Sequence, residues 1–89
     1  MAVYLVAYER HSKDSEASEL LEVLRSLGAE RILWSVFVVS SSSDAQSLHR
    51  YLSDFLEGDD RIFVTRLTED FSGYVLREAG PWLDTHKPL

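Results

Sequence analysis

The chain reads as a small α+β domain, a mostly antiparallel sheet with two helices on one face. Three observations predict it. Apolar runs rich in β-branched and aromatic residues fall at 3–8, 32–40 and 60–67. Two amphipathic stripes at helical spacing lie between those runs. The middle run is long enough for a strand pair, so the order is strand, helix, strand, strand, helix, strand.

Residues 3–8 (VYLVAY) are apolar almost throughout, the pattern of a strand buried on both faces. Residues 9–14 (ERHSKD) are polar and read as a loop. The first helix follows, with Ala17, Leu20, Leu21, Leu24 and Leu27 on one stripe. Asp14 or Ser15 is its expected cap, Glu16 and Glu19 suit its positive end, and Gly28 suits the position just past its last turn.

Residues 32–40 (ILWSVFVVS) predict two short strands joined by a tight turn or bulge near Trp34-Ser35. The serines at 40–43 connect them to the second helix, and Ser43-Asp44-Ala45-Gln46 matches a capping box with Ser43 as cap. Its stripe is Ala45, Leu48, Leu52, Phe55 and Leu56, and Gly58 is its expected end. Residues 60–67 are the last clear strand, 71–76 are ambiguous, and 78–85 suggest a helical turn interrupted by Gly80-Pro81. The expected whole is one ferredoxin-like βαββαβ two-layer sandwich over 1–89, with a C-terminal extension from about residue 69. The expected core is Leu5, Ala7, Leu20, Leu24, Val36, Val38, Leu48, Leu52, Phe63 and Leu67.

Composition narrows the function classes. Apolar residues make up 45% of the chain, which excludes a disordered one. Four Tyr, four Phe and two Trp are more aromatics than so small a core requires, and they fit a further buried surface such as a homodimer interface. Cysteine is absent, which excludes disulfides and thiolate metal sites and makes dimerisation the expected source of extra stability. The chain enters a strand pattern at Met1 without a basic leader, and no apolar run approaches the ~20 residues of a membrane helix, so a cytoplasmic protein with no membrane partner is expected. The net charge of −6 opposes nucleic acid as a partner, although Arg10 and Lys13 share one loop.

Chemistry is sparsely marked. Glu9 closes the first strand, where it reads first as a solvated strand-end residue. A carboxylate there could also hold magnesium, which takes oxygen ligands and keeps several waters, so one carboxylate from each of two subunits would be sufficient. His11, two positions on, has the type of a general base or ligand, and Ser12 adjoins it. His49 falls one position off the stripe of the second helix, and His86 lies in the tail. The histidines lack zinc-site spacing, and no nucleophile elbow or phosphate-binding glycine loop is present. Asp59-Asp60 after Gly58 reads as turn chemistry.

Several segments carry a family resemblance: Tyr4-Leu5-Val6-Ala7-Tyr8-Glu9, Trp34-Ser35-Val36-Phe37-Val38-Val39, and Asp59-Asp60-Arg61-Ile62-Phe63-Val64 with Arg66-Leu67. Asp70-Phe71-Ser72-Gly73-Tyr74 followed by Trp82-Leu83 extends it over most of the chain. In this order they resemble the SinR-like group of small proteins. That group is itself similar to the CRISPR-associated ferredoxin-like family, the second core protein of spacer acquisition, and to VapD-type toxins. The resemblance implies a dimerising ferredoxin-like subunit. It also implies a carboxylate at the end of the first strand that faces its twin across the dimer axis and can bind magnesium. Some members of that family are metal-dependent nucleases, and others bridge DNA within an integrase complex. The matching position here is Glu9, where the family usually has Asp after a Tyr.

The expectation is therefore a small dimeric CRISPR-associated or SinR-like protein acting as an interaction or scaffold module. Two alternatives stand beside it. One is a magnesium-dependent nuclease working through paired Glu9, with His11 or Ser12 orienting water. The other is a toxin-like partner in a two-gene system.

Overall fold

The computed structural model describes residues 1–10 and 19–88. Strand β1 (Ala2–Glu9) is followed by helix α1 (Glu19–Ser26), strands β2 (Glu30–Leu33) and β3 (Val36–Ser41), helix α2 (Ala45–Ser53), strand β4 (Arg61–Leu67) and helix α3 (Ala79–His86). The four strands form one sheet in the order β2-β3-β1-β4, antiparallel at every pairing. The strand pair expected at 32–40 is present. Its turn holds Trp34 and Ser35, and the β2–β3 register shifts between Arg31 and Leu33.

Helices α1 and α2 share one face of the sheet. Leu20, Leu21 and Leu24 of α1 and Leu48 and Leu52 of α2 pack in one buried cluster with Tyr4 and Val6 of β1 and Phe37 and Val39 of β3. Fully burying a leucine contributes about 1.5–3 kcal/mol, so the five leucines account for much of what holds the helices down.

The helix ends follow their capping residues. Gly28 has φ +77, a backbone region that side chains with a Cβ avoid. There the Gly28 N–H donates to the Arg25 carbonyl and the Ala29 N–H to the Leu24 carbonyl, the paired bonds of a glycine-terminated helix. At the start of α2 the cap is Asp44 rather than Ser43: its Oδ1 accepts from the Ser47 N–H at 2.7 Å. The Ser43 N–H instead donates to Ser41 Oγ. Helix α2 ends at Ser53, before the expected Gly58, because Phe55 and Leu56 bond back to Leu52 and Ser53 in tighter turns. The caps expected at Asp14 or Ser15, and Ala17 of the first stripe, lie outside the described residues.

The second face of the sheet is also covered in part. Helix α3 brings Ala79 against Val3, Ile32 and Val38, with Trp82 and Leu83 packed around them. Gly80-Pro81 does not interrupt this helix. Pro81 falls in the first turn, where its missing N–H has no intrahelical acceptor to lose. The C-terminal segment thus docks on its own domain.

Six expected core residues are not in the main core: Val38 is buried, but in the second-face cluster. Leu5, Ala7, Val36 and Leu67 are half-buried, and Phe63 is 67% exposed. They share a cause. The register pairs Ala7 with both Val36 and Phe63, Leu5 with Val38, and Val3 with Leu67, so all of them lie on the second face. The sequence marks them as one set of core residues without marking their face, because β1 and β3 are apolar on both sides and a one-residue change of phase exchanges the faces.

Candidate functional site

The end of β1 carries Glu9, exposed, with Arg61 of β4 as its partner in the register. Alternation along the strand puts it on the second face, in line with Leu5 and Ala7. A shallow depression beside it is lined by Ala7, Glu9, Arg61 and Phe63 together with Tyr8 and Ile62. His11 and Ser12 lie outside the described residues. Among the described residues no three His, Asp or Glu side chains come together as a metal-holding group. Among the described residues Glu9 is thus not part of a ready-made metal-holding group, and a magnesium ion held by it would need further ligands such as water or a second chain.

The other acidic and histidine positions have local roles. Asp60 Oδ2 accepts from the Glu57 N–H at 3.1 Å, and the Asp60 N–H returns a bond to the Glu57 carbonyl, as turn chemistry predicts. His49 is exposed on α2, beside a depression shared with Ile62, Phe63 and Val64. The His86 ring stacks on Trp82 with centroids 3.8 Å apart, and its Nδ1 lies 2.9 Å from the Trp82 carbonyl oxygen. Among the described residues, no helix is long and apolar enough to cross a membrane.

Two features were not singled out in the sequence. At the β2–β3 turn the Arg31 guanidinium lies 5.0 Å from the Trp34 ring and 5.2 Å from the Phe37 ring, within cation–π range of both. Tyr8 completes the group, its ring 6.1 Å from Phe37. Arg31 Nε is buried there without a hydrogen-bond partner, so the rings carry the interaction that a carboxylate usually would. A turn at Trp34-Ser35 alone would set Arg31 opposite Val38; the register shift between Arg31 and Leu33 brings it opposite Phe37 instead, so no local pattern signalled the group.

The second feature is an apolar cavity of about 470 Å³ on the second face. Leu5, Leu33, Leu67 and Leu83 line it, and the irregular segment at 71–75 walls one side. That segment is anchored where the Leu76 N–H donates to the Ile32 carbonyl at 2.8 Å, on the outer edge of β2. The sequence marks Phe71, Gly73 and Tyr74 for the resemblance and for a C-terminal extension that could reach a partner's sheet edge, but leaves the conformation of 71–76 ambiguous, because the bond that anchors it runs to a distant strand. No protein-family model matches the chain, and no solved structure matches it.

Proposed function

We propose that the chain is a homodimeric interaction or scaffold module built on a ferredoxin-like βαββαβ sandwich, of the CRISPR-associated and SinR-like type. The antiparallel order β2-β3-β1-β4 supports the fold reading. Strands β1 and β2 are both antiparallel to β3, hence parallel to each other, joined through α1 with β3 running between them. That is the split βαβ arrangement of such sandwiches. Helix α3 is an addition on the opposite face.

The observation that carries the interaction reading is the incomplete cover of the second face. Phe63 on that face is 67% exposed, and Leu33, Phe71 and Tyr74, around the cavity on the same face, are exposed as well. Single exposed apolar residues need no explanation, but a row of them on one side marks a surface that another molecule covers. The net charge of −6 argues against nucleic acid as that molecule. Light scattering at micromolar concentration tests the proposal. The expected mass is twice 10.2 kDa, and a strictly monomeric mass rejects the dimer.

A further inference from the structure

Tyr74 stands on the wall of the second-face cavity, yet its side chain is fully exposed, at 102% of the reference area. The backbone that carries it is tied at both sides. The Phe71 N–H donates to the Glu69 carbonyl, and the Leu76 N–H to the Ile32 carbonyl. An aromatic ring is thus held in solvent directly beside an apolar hollow that it does not fill. The hollow, at about 470 Å³, lies within the roughly 300–1,000 Å³ of ligand-sized pockets.

From this juxtaposition we infer that a second copy of the chain docks here by reciprocal insertion, the Tyr74 ring of each protomer entering the cavity of the other. Two features favour a second copy over another occupant. First, knob and hole belong to one patch of one chain, the requirement for a two-fold interface in which the same surface serves both partners. Second, none of the described side chains lining the cavity is charged, in a chain of net charge −6. Two copies carry the same net charge, and at this cavity they can meet without bringing charged lining residues together. Leu33, 45% exposed at the end of β2 and lining the cavity, extends the contact. A centrally inserted tyrosine ringed by aliphatic contacts is also the usual form of an interface anchor. The inference rests on the homodimer proposed above and specifies its contact.

Sedimentation with Tyr74→Ala and Leu33→Lys tests it. Both positions are exposed, so each variant is expected to keep the wild-type far-UV spectrum and, at dilutions that suppress association, the wild-type melting temperature. Each alone should weaken the dimer by at least about tenfold, the scale of truncating a central anchor. Mixed together, they should associate more tightly than either does alone. The Tyr74→Ala chain offers an intact cavity and the Leu33→Lys chain an intact ring, so the mixed pair keeps one full insertion. A dimer that persists unchanged in both variants overturns the inference and leaves the dimer itself standing. So does a mixture no tighter than its components. A monomeric wild type overturns both, whether or not the cavity takes some other ligand.

Discussion

The Trp82 indole donates its Nε1–H to the Gly28 carbonyl oxygen at 3.0 Å, tying the C-terminal helix to the loop that ends the first. The bond spans 54 residues of sequence and fixes α3 beside the β2 side of the sheet. It also satisfies an acceptor just past the end of α1, where carbonyls lack intrahelical partners. Trp82→Phe keeps most of the ring and removes the donor, so it should cost about 1 kcal/mol in urea unfolding. Trp82→Ala also removes the half-buried ring and should cost about 3 kcal/mol, with faster amide exchange across α3 and β2. Equal stability of the two variants would mean that the ring contributes nothing to docking.

The two faces of the sheet should respond differently to truncation. Leu52 is completely buried between α2 and the first face, so Leu52→Ala should destabilise the fold by about 2–5 kcal/mol. Phe63, on the second face, is mostly exposed, and Phe63→Ser should change the stability of a monomer by no more than about 0.5 kcal/mol. Chemical denaturation at dilutions that suppress association separates the two. A large loss in Phe63→Ser under those conditions would place that ring in the fold itself.

Phe63 also marks the limit of what the sequence could tell. Helical stripes have a phase, and Leu20, Leu24, Leu48 and Leu52 were legible as core because polar residues separate them. The run from Val3 to Tyr8 has no polar alternation, so the sequence did not show which of its residues face the helices. The site was harder still. Glu9 could be placed at a strand end from pattern alone. The cavity beside Tyr74 depends on the Leu76 amide reaching Ile32 across the sheet, a contact that no local pattern encodes.

The cap of α2 should be visible in the acid limb of stability. The hydrogen bond from the Ser47 N–H holds the Asp44 carboxyl below its ordinary value, with Arg50 adding a smaller effect in the same direction. A carboxyl lowered on folding stabilises the native state above its unfolded pKa, and that contribution is lost as pH falls through the lower folded value. Asp44→Ala should therefore lower the melting temperature at neutral pH by a few degrees and flatten the acid limb. Asp44→Asn keeps an acceptor at the cap, so it should retain most of the neutral-pH stability while also flattening the acid limb. Thermal melts from neutral pH to below the ordinary carboxylate range check both. An acid limb that is the same in all three proteins would remove Asp44 from the account.

Glu9 gives the test that separates an interaction module from an enzyme. Glu9 is exposed at the end of β1, with Arg61 opposite it in the register. A nuclease built on this position would need a second Glu9 and a magnesium ion between them, because two carboxylates brought together without a cation repel. Glutamate is also longer than the aspartate usual in the resembling family by one methylene, a shift of about 1.5 Å at the carboxylate. Sites that depend on close positioning lose activity over displacements of that order. The net charge of −6 opposes the substrate as well. The expected result is therefore no measurable cleavage of RNA or DNA with or without magnesium, and no change of mass in Glu9→Gln. Magnesium-dependent cleavage that disappears with a chelator and in Glu9→Gln, while the dimer persists, would replace the interaction module by a metal-dependent nuclease.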